Sequence, residues 1–392
     1  MPNFTPRQEF LPFCLPDVSQ RELDEIAEAL RSPWWTKGPR TLAFEKAFAD
    51  YVGAKHAVGM NSCTAALHIA LVAAGIGPGD EVITTPYTFC ASANTILHVG
   101  ATPVFVDVEP DTGCIDVDAV EAAITPRTKA IVPVHYSGMA CDLDRIYALA
   151  ARHGLFVSED AAHAVETLHK GKPIGHAVPG AASFSFYATK NLATGEGGML
   201  VTDDEALATR ARVLCSHGMS ANAWNRYGKG GSWRYDVEEP GFKYNMFDIQ
   251  AALGLMQLER MPDMQARRMR IVELYDSAFS TMPEVQLQQN PAYSGHSKHL
   301  YVLRLTPGAL RIGRDEFIQE LAERNVGTSV HFIPVHLLTA YRKRFGYKEG
   351  DFPRTEAFFS REISMPLYSG LAPADAQYVI DAVRDIIVKN EK

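Results

Sequence analysis

Apolar and polar positions along this chain keep two rhythms. SCTAALHIALVAA (62–74) is apolar on nearly every face, the pattern of a helix buried on all sides. GPGD turns the chain and EVITT (81–85) reads as a strand. A helix near 91–99 follows, then strands at TPVFVDV (102–108) and TKAIVPVHY (128–136). DLDRIYALAARHG carries Asp142 as an N-cap, apolar residues at helical spacing, and Gly154 as a stop. LFVSED (155–160), AASFSFY (181–187) and GGMLVTDD (197–204) complete the strands. Strands alternating with helices predict βαβ units and a mostly parallel sheet buried on both faces.

The texture changes past residue 250. FDIQAALGLMQLERMPDMQARRMRIVELYDSAF holds helical periodicity over a long span, with Pro262 predicting a kink or break. KHLYVLRLT (298–306) reads as a strand, RDEFIQELAERN (314–325) as a helix and GTSVHFIP (327–334) as a strand. The expectation is a large α/β domain over 1–260 and a smaller α+β domain over 261–392.

Composition narrows the partners. At 46% hydrophobic and 21% charged residues, the 392-residue chain has the balance of a soluble globular protein. A net charge of −8 argues against nucleic acid or an anionic membrane as main partner, while leaving room for an anionic small substrate. No signal-peptide pattern or membrane-length apolar run is present, so a cytoplasmic location is expected. The six cysteines, Cys14, Cys63, Cys90, Cys114, Cys141 and Cys215, never fall at CxxC spacing. That pattern predicts free thiols and no metal centre.

Ligands of parallel α/β sheets sit at the carboxyl ends of strands. Asp160 ends one strand, ahead of AAHA and His163. Lys190 follows AASFSFY, whose Ser185 lies on the polar face of an alternating strand. Phe89 follows EVITT, and Asn61, Ser62, Cys63 and Thr64 open a buried helix whose free N–H groups favour an anion. Each has an ordinary role taken singly: a capping Asp or Ser, a core Phe, a structural His, a solvated Lys. Together they match the needs of pyridoxal 5'-phosphate (PLP). Its aldehyde needs an amine, its ring nitrogen a carboxylate, its ring an aromatic face and its phosphate backbone N–H groups.

Longer segments carry a resemblance. WWTKGPRTLAFEKAFADYVGAKHAVGMNSCTAALHIAL, GIGPGDEVITTPYTF, SEDAAHA, SFSFYATKN, GEGGMLVTDD and GFKYNMFDIQAALGLMQLE resemble the DegT/DnrJ/EryC1/StrS sugar aminotransferases, of PLP fold type I. The resemblance implies a large domain with a seven-stranded, mostly parallel sheet between helices, and a smaller C-terminal domain. It implies Lys190 as Schiff-base lysine and proton shuttle, Asp160 at the pyridine nitrogen, His163 near the ring hydroxyl and Phe89 on the ring face. Ser62, Cys63, Thr64 and Ser185 would hold the phosphate, joined by Asn245 from a neighbouring subunit, so that a homodimer shares its active sites. Tyr187, His331 and Tyr341 are implied substrate residues, with Lys37, Arg40, Lys229 and Arg234 as candidates for a nucleotide diphosphate.

Relatives that dehydrate sugars replace the lysine by histidine; this chain keeps Lys190, which favours transamination. The implied reaction takes an amino group from L-glutamate, releasing 2-oxoglutarate, and gives it by way of pyridoxamine 5'-phosphate (PMP) to a nucleotide-linked keto-sugar. A UDP-4-keto-sugar of lipopolysaccharide synthesis is the first expectation; a 3-keto or other nucleotide sugar is the second. Cys63, where Ala is usual, and the variable Tyr187 leave the sugar open. A dinucleotide-dependent sugar enzyme is disfavoured because no GxGxxG follows the first strand. A PLP-binding regulator would need a basic nucleic-acid face, which the sequence does not show.

Overall fold

The structure, a computed structural model, describes residues 4–219 and 235–392. In chain order the first elements are α1 (Gln20–Arg31), α2 (Pro39–Val52), β1 (His56–Met60), α3 (Cys63–Ala73), β2 (Glu81–Thr84), α4 (Cys90–His98), β3 (Thr102–Phe105), α5 (Val117–Ala123), β4 (Thr128–Val132), α6 (Leu143–His153), β5 (Phe156–Asp160), the short strands β6 (Leu168–His169) and β7 (Lys172–Pro173), β8 (Ala181–Ser185), β9 (Gly198–Thr202) and α7 (Glu205–Leu214). There follow α8 (Asp248–Phe279), β10 (Val285–Leu287), β11 (Ser294–Gly295), β12 (Tyr301–Leu305), α9 (Arg314–Glu323), α10 (Thr339–Phe345), α11 (Pro353–Phe359), β13 (Glu362–Met365) and α12 (Pro373–Asn390).

Seven strands form one sheet in the order β1-β9-β8-β5-β4-β2-β3. Only β9 runs against its neighbours, pairing antiparallel with β1 and β8. The others pair in parallel, as the alternation of strands and helices predicts. A second sheet, β10-β12-β13, is antiparallel. It forms a separate core with α9, α12 and the end of α8, joined by Leu11 of the N-terminal segment. Among the described residues, no helix is long and apolar enough to cross a membrane.

Two expectations need correction. Pro262 does not break the long helix: α8 runs unbroken for 32 residues with Pro262 inside it. The proline removes one backbone donor, but α8 packs against α1, α2 and α12, and the helix continues through it. GTSVHFIP is not a strand. Gly327 N–H donates to Leu11 O, whereas Ser329 exchanges both backbone hydrogen bonds with Ser364 of β13. Its polar backbone therefore serves two neighbours in turn, and no ladder develops before Pro334.

Helix α2 lacks a side-chain cap at Gly38. Its first N–H groups are instead satisfied from across the sequence by the buried Asp248. Oδ1 accepts from Gly38 N–H (2.8 Å), Thr41 N–H (3.0 Å) and the Thr41 hydroxyl (2.8 Å), and Oδ2 accepts from Arg40 N–H (3.2 Å). A carboxylate on a helix N-terminus also meets the positive end of the dipole. Replacing Asp248 by Ala orphans these donors, and a loss of about 3 kcal/mol is expected, read as a lowered urea midpoint with an unchanged slope.

Candidate active site

A cavity of about 480 Å³ opens at the carboxyl ends of β2, β4, β5 and β8. It gathers Lys190, Asp160, His163, Phe89, Ser62, Cys63, Thr64, Ser185, Tyr187 and His331 along its walls.

Strand β8 sets the position of Lys190. Its alternation sends Phe184 and the following Phe186 into the core, where both rings meet Phe48 at 5.0 and 5.3 Å, while Ser185 faces the cavity. The turn after it closes with Lys190 N–H donating to Tyr187 O. Burial drives the Lys190 amine down to about 8, against the opposing pull of Cys63 and Asp160. That lowering, from an ordinary 10.5, raises the neutral fraction at pH 7 about 300-fold.

Asp160 ends β5 with both oxygens occupied. Oδ2 accepts from the Ser92 hydroxyl at 2.6 Å and Oδ1 from Ala162 N–H at 3.1 Å. Burial raises its pKa; those two bonds and the Lys190 charge oppose the rise. Nothing in the sequence pointed to Ser92, which reaches Asp160 from the first turn of α4. His163 accepts a hydrogen bond at Nδ1 from Ser137 N–H (3.2 Å), so the ring of its neutral form carries its proton on Nε2. Burial and the Lys190 charge hold it well below its usual pKa. Ser137 makes this bond from a left-handed conformation, φ 58°, a cost that tertiary packing sustains. Phe332 stacks on His163 at 5.7 Å and 24°, and His299 lies 4.4 Å away.

The start of α3 is the candidate anion cradle. Ser62 caps the helix by accepting from Ala65 N–H, leaving the first-turn N–H groups of Cys63 and Thr64 without an intrahelical partner. Gly198 allows this helix end to reach the sheet. A Cβ there would stand 2.4 Å from the Ser62 carbonyl carbon and 2.5 Å from Cys63 N. Phe89 and Tyr187 stand at the rim, 58% and 47% exposed.

Other candidates lie elsewhere. Asn245 is buried beside the end of β1, its carbonyl accepting from Lys243 Nζ and its amide donating to Met246 O. Tyr341 donates to Asn94 Oδ1 and packs on Phe105. Lys37 pairs with Glu45, and Arg40 with Glu25. Lys229 and Arg234 lie outside the described residues.

This geometry meets its counterpart in known proteins. The model of the DegT/DnrJ/EryC1/StrS aminotransferase family matches residues 16–384. The chain belongs to that family. It is 56% identical over 382 residues to the spore coat polysaccharide biosynthesis protein SpsC of Bacillus subtilis, covering 97% of this chain and 98% of the relative. Among solved structures it superposes on Spr1654 of Streptococcus pneumoniae, described as a sugar aminotransferase in its PLP form, with TM-score 0.90 and 36% identity over 97% of this chain and 99% of that one. It also superposes on PseC of Helicobacter pylori, an aminotransferase involved in pseudaminic acid biosynthesis, with TM-score 0.89 and 30% identity over 97% and 100%.

The protein is thus a PLP-dependent sugar aminotransferase. Its cavity fits the cofactor: an amine of lowered pKa, a buried carboxylate and a helix start kept clear by Gly198 share one space. Because the neutral amine is the nucleophile, visible absorbance on adding PLP to the stripped protein should develop faster as pH rises through about 8. Lys190→Ala should develop none. Stopped-flow absorbance across pH 6–10 checks both.

Proposed function

We propose that this aminotransferase moves the amino group of L-glutamate to the keto carbon of a nucleotide-linked sugar, a UDP-4-keto-sugar in the first instance, as a homodimer that completes each active site across its interface. The observation that carries this reading is the shared space of Lys190 and Asp160 beneath an open aromatic rim. The polysaccharide role in the name of SpsC and the pseudaminic acid biosynthesis in the description of PseC support a sugar acceptor.

PLP supplies an electron sink and carries the amino group between the two half-reactions. The residues of this chain do the rest. Lys190, neutral and partly desolvated, removes the proton from the donor's α-carbon and returns one to the acceptor carbon. Asp160 keeps the ring nitrogen protonated. His163, with its proton on Nε2, offers a donor to the ring hydroxyl. Cys63 and Thr64 N–H groups and the Ser185 hydroxyl hold the phosphate, and Phe89 covers the ring. Tyr187 and His331 face the sugar.

Glutamate alone should yield about one equivalent of 2-oxoglutarate per site and bleach the protein, as a ping-pong reaction requires. Asp160→Asn should lower kcat/KM by about 10³, the scale of losing a buried electrostatic partner, and Lys190→Ala should abolish turnover. A panel of UDP-, dTDP- and GDP-linked 4-keto and 3-keto sugars, read by mass spectrometry, tests the acceptor; amination of a 3-keto sugar alone would overturn the choice. Asn245 should act from the partner subunit. Mixing inactive Lys190→Ala with Asn245→Ala subunits should then restore about a quarter of the intact sites, one per mixed dimer, whereas action within one chain restores none.

A further inference from the structure

His331 reaches the cavity from the small domain, and what holds its ring is buried behind it. Glu362 and Ser364 sit two residues apart on β13 and so share a face of the strand. Both are wholly buried. The Ser364 hydroxyl oxygen lies 2.8 Å from His331 Nδ1 and 2.5 Å from Glu362 Oε1. The other carboxyl oxygen, Oε2, accepts from the backbone N–H of His331 at 3.0 Å. Carboxyl, hydroxyl and imidazole thus form one chain ending at the cavity wall. Tyr136 fixes the same residue from the large domain by donating to His331 O at 2.8 Å.

A hydroxyl has one proton, and among the described residues the only acceptors in reach of Ser364 Oγ are Glu362 Oε1 and His331 Nδ1, so the protons of this chain point one way. With Glu362 ionised, Ser364 donates to it and accepts from Nδ1–H, and Nε2 turns a bare lone pair to the cavity. With Glu362 neutral, the carboxyl donates to Ser364, which donates to Nδ1, and Nε2 carries the proton. The ring itself is neutral near pH 7, because burial and the Lys190 charge hold its pKa near 4.

We propose that Glu362 and Ser364 are positioning residues that set the tautomer of His331, and so decide whether the substrate meets a donor or an acceptor at Nε2. The proposal rests on the reading of this cavity as the site of amino transfer. Groups facing Glu362 are Arg314 from α9, Arg304 opposite it on β12, and Tyr87 and Tyr136 from the large domain. Among the described residues no arginine hydrogen-bonds its carboxyl; the Arg314 guanidinium donates to the Glu362 backbone carbonyl. Burial therefore prevails and lifts Glu362 to about 8. Near neutral pH the chain runs outward, and Nε2–H is the group offered to a phosphate or sugar oxygen.

The test uses ¹⁵N-labelled holoenzyme, with the tautomer read from two-bond ¹⁵N–¹H correlations and His331 assigned by its loss in His331→Gln. Wild type should show Nε2–H at pH 7 and move towards Nδ1–H by pH 9.5. Glu362→Gln should hold Nε2–H across the range, because the amide donates to Ser364 as the neutral carboxyl does. This isosteric variant also separates Glu362 from Lys190 and His163, which face the ring from the cavity. Ser364→Ala should abolish the pH dependence and raise KM for the keto-sugar about tenfold, the scale of one misdirected hydrogen bond, with kcat for the glutamate half-reaction unchanged. One tautomer in wild type at both pH values, or a Glu362→Gln variant that titrates like wild type, would overturn the proposal. The wild-type titration needs no sugar, so it stands apart from the choice of acceptor.

Discussion

Parallel strands all finish on one edge of their sheet, and the site of this enzyme follows from that constraint. Asp160, His135 and the residues after β2 and β8 arrive together because their strands run the same way. The one reversed strand, β9, adds to the same edge from its beginning: Gly197 and Gly198 come where a neighbour's end would be. A residue without a side chain at that point is what lets α3 start against the sheet. Direction of pairing therefore brings together the acid, the amine and the anion cradle, which are far apart along the chain.

Dryness does the second part. Lys190, Asp160 and three cavity histidines all shift towards their uncharged forms, and burial heads the causes for each. A parallel sheet covered on both faces has little choice in this, since its strand ends sit deep between layers. The hydrogen bonds that remain are selective. Ser92 and Ala162 favour the charged form of Asp160, while His163 receives only a backbone N–H. The acid thus keeps two partners that oppose its neutralisation, and among the described residues the histidine has none.

Much of this was legible in the sequence where the signal is local. SFSFYATKN shows its buried face by alternation, and its lysine follows at once; SEDAAHA and the polar opening of SCTAALHIAL are equally compact. What escaped depends on contacts between distant residues. Asp248 caps a helix more than two hundred positions upstream. Ser92 meets Asp160 only after folding. GTSVHFIP has a strand's texture, but its neighbours on each side are different segments. Pro262 carries a breaker's signature that packing on three helices overrides. Glu362 and Ser364 look like any β-strand pair until the chain returns to place His331 over them.

Helix α8 belongs to both halves of the molecule. Ala251, Leu258 and Met261 join the core under the large sheet, while Ile271, Val272, Tyr275 and Phe279 join the core of the small one. At 1.5 Å per residue its 32 residues make a strut about 48 Å long. Such a member couples the halves mechanically. Loosening either core leaves part of the strut's apolar face in water, which ties the stability of one half to that of the other. The strand that carries Glu362 and Ser364 therefore shares its core with an element rooted under the large sheet.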